Sequence, residues 1–215
     1  MSDPPLYLEP DDSNHAIARI GGPAELPAGE PHPACARCGA PMVHFLTVRL
    51  DACAGLPFPA GTRLSIHMCP VHNEIPSFDA TSALQDDYWN HTEGHWHARL
   101  SAEPAVARAE TPLVLRPVRL GPAAHPARPD RVLRIGGEPE WIQDAESFTC
   151  SCGQAMRFVG QIGESCLFDR LPGAPGQPDS PDADGYVLFL GNEVHIFACP
   201  TPCSPRAVWF AVQGG

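Results

Sequence analysis

The sequence contains no lysine, and its fourteen basic residues are all arginine. Acidic residues outnumber them at 25, which gives the chain a formal net charge of −11. An acidic chain has no broad positive field to attract a phosphate backbone, so we expect no nucleic-acid partner. The chain also lacks any apolar run near the ~20 residues that a membrane-spanning helix requires, so we expect no membrane partner either.

Signal-peptide and enzyme motifs are missing as well. Residues 1–5 include neither a basic n-region nor an apolar h-region, so we expect a cytoplasmic protein. In that compartment the nine cysteines fit metal binding better than disulfide bonding. The sequence has no GxGxxG, Walker or HExxH pattern and no nucleophile elbow, and we therefore expect a protein that is not an enzyme.

Proline and glycine are abundant, at 26 and 19 residues, and they favour many turns over long helices. Between the turns, apolar residues alternate as in half-buried strands. Residues 43–50 and 62–68 flank a Pro/Gly turn and are predicted to pair as a hairpin. In the second half, residues 156–162 are predicted to pair with 186–190 and 193–198. The fold class is therefore predicted to be mainly β.

One motif occurs twice. Ile20-Gly21-Gly22 precedes Cys35, Ile135-Gly136-Gly137 precedes Cys150, and in both copies the isoleucine and the cysteine are fifteen residues apart. Each copy then runs through apolar segments to a second pair of metal-binding residue types. This internal similarity predicts two pseudo-repeated β modules, each with a zinc-ribbon-like pair of Cys/His knuckles. The predicted boundaries are a flexible N-terminus at 1–15, a first module at 16–100, a connector at 101–130 and a second module at 131–215.

Each predicted module carries four residues of the kind that bind Zn²⁺, which prefers thiolate or imidazole ligands in a tetrahedron. Since the protein fills all four positions, both sites are predicted to be structural and to couple metal binding to folding. The alternative is that these cysteines are reduced and buried as small apolar residues, as we predict for Cys53 and Cys166. The predicted zinc ligands are Cys35, Cys38, Cys69 and His72 in the first module and Cys150, Cys152, Cys199 and Cys203 in the second.

A histidine- and aromatic-rich stretch between residues 79 and 100 has three interpretations. His91 and His95 share the i, i+4 spacing of one helix face, and with His97 they could form a third, open metal site. The aromatic residues could instead fill a seam between the modules or form an exposed protein-binding patch. The candidate partner-binding residues are Tyr88, Trp89, His91, His95, Trp96 and His97.

The Ile-Gly-Gly-x-Pro-x-Trp motif of the second copy, followed by Cys150-Ser151-Cys152-Gly153 and later by Cys199 and Cys203, resembles the programmed cell death 2 family. The first copy, with Cys35-Ala36-Arg37-Cys38-Gly39, is also similar to the bacterial YwqG-like proteins, whose function is unknown. The resemblance implies a β-rich fold, ligand roles for the cysteines, and a chaperone role like that of the eukaryotic members towards a small-subunit ribosomal protein.

The chain also departs from these family members. It has no MYND finger, and it carries Leu26-Pro27 where the tryptophan of the first copy would be. We therefore carry over the ligand roles to the cysteines but not the ribosomal client. The lysine-free composition is associated with GC-rich bacterial genomes.

The leading functional hypothesis is a non-enzymatic, protein-binding module with two structural zinc ions. Its acidic surface suits a basic client protein through electrostatic complementarity, which fits a chaperone-like role. One alternative is a toxin-immunity protein, in which the basic partner is a cognate toxin. A second alternative, from a different class, is a metalloenzyme that uses His91, His95 and His97. The sequence leaves the identity of the partner and the oligomeric state open.

Overall fold

The computed structural model of the protein describes residues 4–11, 16–72, 95–108, 114–123, 133–177, 184–187, 191–201 and 203–214. Within these ranges the chain is mainly β-structure with a short 3₁₀ helix, Leu50–Ala52, and no helix is long and apolar enough to cross a membrane. The strands in chain order are β1 (Leu6–Pro10), β2 (Ala18–Ile20), β3 (Glu25–Pro27), β4 (Val43–Arg49), β5 (Arg63–Met68), β6 (Trp96–Ser101), β7 (Ala105–Ala107), β8 (Val118–Ala123), β9 (Leu133–Ile135), β10 (Arg157–Ile162), β11 (Phe168–Asp169), β12 (Gly185–Tyr186), β13 (Asn192–Ala198) and β14 (Val208–Gly214).

Ten of these strands form one antiparallel sheet in the order β14-β13-β10-β9-β1-β8-β2-β4-β5-β6. The two end strands of this order approach each other. The Leu100 N–H of β6 donates to the Pro205 carbonyl at 2.7 Å, and the Trp96 and Phe210 rings meet edge to face with centroids 6.4 Å apart. The sheet is therefore nearly closed. Two small sheets, β3–β7 and β11–β12, are separate from it.

Apolar side chains from both ends of the large sheet form one continuous core. In β6, Trp96, Ala98 and Leu100 are buried and the residues between them are partly exposed, as expected of a strand with one face on the core. Phe45 of β4 packs edge to face on Trp96 at 5.9 Å, and Trp96 in turn contacts Phe210 of β14. Burial of each large aromatic side chain contributes roughly 2–3 kcal/mol, so this chain of rings ties β4 and β6 to β14.

The first glycine of each repeated motif, Gly21 or Gly136, turns the backbone opposite a bulge in the neighbouring strand. Both β4 and β10 shift register against their partner strands near their first residues. At the first bulge the Gly21 N–H donates to the Phe45 carbonyl at 3.0 Å. At the second, the Gly136 N–H donates to the Val159 carbonyl at 2.8 Å. The two glycines have φ angles of 63° and 70°, a left-handed conformation that other residues rarely adopt.

Two segments predicted to lie outside the modules are strands of the large sheet. β1, from the predicted flexible N-terminus 1–15, pairs with β8 on one side and β9 on the other. β8, from the predicted connector 101–130, pairs with β1 and β2. The expectation was wrong for these residues because Leu8 and Leu120 are buried in the core, within segments whose composition is otherwise Pro-rich and polar. β1 and β8 join the two halves of the chain into one sheet.

The hairpin predictions are confirmed except at one strand. β4 pairs with β5, and β10 pairs with β13, as the alternating patterns predict. Gly185–Tyr186, however, pairs with β11 and not with β10. The buried Tyr186 ring and the hydrogen bond from its hydroxyl to the Pro175 carbonyl hold this strand away from the large sheet. Residues 188–190 lie outside the described residues.

We expect Gly160→Ala to lower the free energy of unfolding by about 3 kcal/mol, because an overpacked core site costs that much when backbone must move. Gly160 lies at the bulge of β10, and a Cβ there would be 2.4 Å from the Arg134 carbonyl oxygen. Gly176→Ala is the matched control, since a Cβ at Gly176 meets no heavy atom within 4 Å. Urea denaturation should show a change below about 0.5 kcal/mol for the control. Equal effects of the two substitutions would contradict this packing at the bulge.

Candidate metal centres

The first quartet (Cys35, Cys38, Cys69, His72) lies where a tight turn meets the end of β5. The turn brings Cys35 and Cys38 together, because the Gly39 N–H donates to the Cys35 carbonyl at 2.8 Å. Cys69 follows the last residue of β5 directly, and His72 lies three residues further on. The ligand atoms are 3.8 Å apart from Cys35 Sγ to His72 Nδ1, 3.7 Å from Cys38 Sγ to Cys69 Sγ, and 3.7 Å from Cys69 Sγ to His72 Nδ1.

The second quartet (Cys150, Cys152, Cys199, Cys203) is built from the same kinds of element. A turn closed by a 2.8 Å hydrogen bond from the Gly153 N–H to the Cys150 carbonyl brings Cys150 and Cys152 together. Cys199 follows the last residue of β13 directly. The thiol sulfurs of Cys150 and Cys203 are 3.3 Å apart, and those of Cys152 and Cys199 are 3.7 Å apart.

Both quartets fit a tetrahedral metal ion. In each of them, the four ligand atoms lie within 4.8 Å of one another. A Zn²⁺ site with Zn–S bonds of about 2.3 Å has S–S edges of about 3.8 Å. Separations of 3.7–3.8 Å in the first quartet and 3.7 Å in the second match that edge, and the Cys150–Cys203 pair is closer, at 3.3 Å. The structure thus brings together each ligand set that the sequence predicts, and both sets could hold a metal ion with every ligand supplied by the protein.

Burial and backbone hydrogen bonds act in opposite directions on the thiols of the two quartets. Burial raises the pKa of the Cys69 thiol to about 11, and burial also raises the pKa of Cys199. The N–H groups of Val71 and His72 donate to Cys69 Sγ at 3.4 and 3.2 Å, which partly offsets this effect. For Cys38, a backbone hydrogen bond at Ala40 lowers the pKa. A bound dication would stabilise the thiolate forms of these buried groups further.

The two remaining cysteines lie outside both quartets. Cys53 and Cys166 are buried in the main core and belong to neither ligand group. The Cys53 thiol donates to the Arg49 carbonyl at 3.5 Å, and burial raises the pKa of this thiol to about 11. Both positions agree with the prediction that these cysteines pack as small apolar residues.

The histidine- and aromatic-rich stretch is described only from His95 onward, and Tyr88, Trp89 and His91 lie outside the described residues. β6 begins at Trp96, so His97 lies in a strand, and the predicted i, i+4 pair of His91 and His95 lies partly outside the described residues. The Trp96 indole is buried between Phe45 and Phe210, where it fills a seam between the two halves. The His95 ring stacks on His72 of the first quartet with centroids 5.3 Å apart, and the His97 ring lies 6.2 Å from His67.

A polar cluster in the second half, largely buried, was not predicted from the sequence. Arg134 of β9 donates to Glu140 Oε1 at 3.1 Å and to Gln161 Oε1 at 2.6 Å. The His195 ring stacks on Trp141 at 4.3 Å, and its Nε2 donates to the Glu140 carbonyl at 3.1 Å. These contacts hold the Pro-x-Trp part of the motif against the sheet. Arg134, Gln161 and His195 lie at buried strand positions, whereas Glu140 is exposed and lies outside the strands. Sequence alone does not reveal which of these residues meet across strands.

A second buried polar group lies in the first half. His44 Nδ1 donates to the Gly21 carbonyl at 2.8 Å, and His44 Nε2 is 2.8 Å from Thr47 Oγ1. Thr47 Oγ1 is in turn 3.2 Å from Ser65 Oγ. Burial, with a smaller contribution from the Arg19 charge, lowers the pKa of His44 to about 4. The neutral imidazole is therefore the form that the fold accommodates.

A shallow open groove of about 720 Å³ lies beside the second quartet. One wall comes from the segment after the 3₁₀ helix of the first half, and the other comes from the two turns that carry the second quartet. The walls are mainly apolar, but two metal-ligand candidates of the second quartet reach the surface there. The lining residues are Pro57, Phe58, Pro59, Cys152, Gln154, Pro200, Thr201 and Cys203.

No protein-family model and no curated protein matches the chain. The observations that bear on function are therefore those of the chain itself. Foremost among them are the two ligand quartets, the groove beside the second quartet and the net charge of −11.

We expect the purified protein to carry two metal ions per chain, as measured by inductively coupled plasma mass spectrometry. Cys38→Ala and Cys152→Ala should each reduce this number to about one, because loss of one ligand in four weakens tetrahedral binding strongly. Cys53→Ala is the control, since Cys53 lies outside both quartets, and it should retain both ions. Retention of both ions by either ligand variant would contradict the assignment of that quartet.

We also expect the free energy of unfolding to decrease as the pH is lowered, with part of this decrease due to His44. The folded-state pKa of about 4 is below the ordinary value of 6.5, so the unfolded chain takes up the proton first as the pH falls. The stabilisation is present above pH ~6.5 and is lost towards pH ~4. His44→Gln keeps a donor for the Gly21 carbonyl but does not titrate. Between about pH 7 and pH 5, wild type should lose roughly 2 kcal/mol more unfolding free energy than this variant, and parallel curves would contradict the expectation.

Proposed function

We propose that the protein is a non-enzymatic protein-binding module whose β fold is stabilised by two structural Zn²⁺ ions. The observation that carries this proposal is that the four thiol or imidazole ligand atoms of each quartet lie within 4.8 Å of one another, close enough to bind one ion. With four protein ligands, a bound ion has no position for water or substrate and contributes folding free energy instead of chemistry. Among the described residues, no further ligand group supports the metalloenzyme alternative at His91, His95 and His97.

The two halves are, in this proposal, copies of one β unit. Support comes from the strand orders β2-β4-β5-β6 and β9-β10-β13-β14, and from a bulge near the first residues of β4 and β10. The backbone hydrogen bonds that shape the ligand turns also correspond. They run from Cys35 N to Ala40 O and from Cys150 N to Gln154 O, and, beyond the second strand of each hairpin, from Cys69 N to His95 O and from Cys199 N to Ala207 O.

The proposed partner is a basic protein. A net charge of −11 attracts a cationic surface over long range and disfavours acidic competitors. Apolar contacts are available at Val71, which is 60% exposed beside the first quartet, and in the groove beside the second. The resemblance to the programmed cell death 2 family supports a chaperone-like role. A cognate toxin as the basic partner would make the protein an immunity protein with the same surface properties.

The test uses the zinc-loaded full chain and a panel of purified basic proteins, among them ribosomal proteins of the small subunit. We expect the chain to suppress aggregation of at least one of them on dilution from urea and to form a stoichiometric complex in size-exclusion chromatography. Since the attraction is largely electrostatic, the Kd should increase about tenfold or more between about 50 and 300 mM salt.

A folded basic protein with a net charge similar to that of the panel proteins is the control for nonspecific attraction, and it should form no complex. Failure of the folded, zinc-loaded chain to bind any panel member would contradict the client-binding part of the proposal. A folded chain without bound metal would contradict the structural-zinc part instead.

A further inference from the structure

The two quartets differ in one ligand, and this difference changes their redox chemistry. The first quartet pairs Cys35 Sγ with His72 Nδ1 at 3.8 Å. At the corresponding place, the second quartet pairs Cys150 Sγ with Cys203 Sγ at 3.3 Å. An imidazole cannot form a disulfide, whereas two thiols can. The bond of about 2.05 Å requires these two sulfurs to approach by little more than 1 Å.

Access from solvent also differs between the two thiols of this pair. Cys203 is exposed and lines the open groove, and Cys150, whose sulfur is 3.3 Å away, is buried. Solvent access and a neighbouring resolving thiol are two of the conditions under which a peroxide oxidises a cysteine that is then converted to a disulfide. In the first quartet, the exposed thiol is Cys38, whose closest measured sulfur is that of Cys69 at 3.7 Å.

We propose that the second quartet is a site of oxidative modification, at which a hydroperoxide converts Cys150 and Cys203 to a disulfide and so releases the metal ion. This inference rests on the proposed structural-zinc function and adds a reaction at one of the two sites. The disulfide removes two of four ligands, and Cys152 and Cys199 alone hold an ion weakly. The first quartet keeps its ion under the same conditions.

The reaction balances as a two-electron oxidation. The Cys203 thiolate attacks the O–O bond of the peroxide, which leaves a sulfenic acid on Cys203 and releases an alcohol, or water in the case of hydrogen peroxide. The Cys150 thiolate then attacks the sulfenic sulfur, the S–S bond forms, and the hydroxyl group leaves as a second water after protonation. Two thiolates lose two electrons in total, and the peroxide gains them. A thiol reductant reverses the reaction.

The experiment treats the zinc-loaded full chain with hydrogen peroxide and follows zinc release with a chromogenic chelator. We expect one of two ions per chain to be released, and peptide mass spectrometry after thiol alkylation should identify a Cys150–Cys203 disulfide. Cys203→His is the matched variant, because it gives the second quartet the Cys₃His set of the first. This variant should still bind two ions, and it should lose the ion of the second quartet at least about tenfold more slowly than the wild-type protein does.

A reciprocal variant keeps the test decisive if Cys203→His does not fold. His72→Cys gives the first quartet a fourth thiol next to Cys35, and peroxide should then release both ions. The inference is overturned if the wild-type protein releases the ion of the first quartet as early as that of the second. It is also overturned if the disulfide joins Cys152 and Cys199, or if neither variant changes the release of zinc. A chain that binds no zinc contradicts the proposed function, whereas two bound ions that peroxide does not release contradict only this inference.

Discussion

The hydrogen-bonded register of two hairpins is the constraint on which both ligand sites depend. In each hairpin a cysteine follows the second strand directly, Cys69 after β5 and Cys199 after β13. Their N–H groups continue the sheet bonding, because they donate to the carbonyls of His95 and Ala207 at 2.7 and 2.9 Å. A slip by one residue would turn the apolar residues of the strand away from the core and the thiols away from their partners. The same register therefore fixes both the strand pairing and the positions of the ligands. An ion bound at a quartet would also stabilise that register.

The nearly closed sheet changes what a metal ion contributes to stability. A separate zinc-ribbon unit has too small a core to fold without its ion. Here β1 and β8 connect the two proposed units, and Phe45, Trp96 and Phe210 pack in one core between them. Part of the folding free energy thus comes from burial that the halves share. An ion bound at each quartet would then fix the turns that follow the strands.

Short-range spacing made the ligand sets and both main hairpins predictable. Cysteine pairs two or three residues apart meet in one turn, and alternation over six or seven residues identifies a strand whatever it pairs with. The long-range pairings were not predictable in this way. β1 is short and lies in a proline-rich segment, and its partners β8 and β9 are more than one hundred residues away along the chain. The contact of Trp141 with His195 was missed for the same reason, since both are ordinary strand or loop residues until the sheet places them together.

The same physical reasoning explains why the first copy of the motif lacks its tryptophan. In the second half, Trp141 covers the sheet by stacking on His195 at 4.3 Å. In the first half, Leu26 lies in β3, is buried, and pairs with β7, for which no equivalent is described in the second half. Arg108, just beyond β7, donates to the Pro27 carbonyl at 2.9 Å and secures this segment from the other side. Backbone pairing to an added strand replaces the aromatic stack, so the position no longer requires a large ring. The departure from the motif is thus accompanied by a compensating contact.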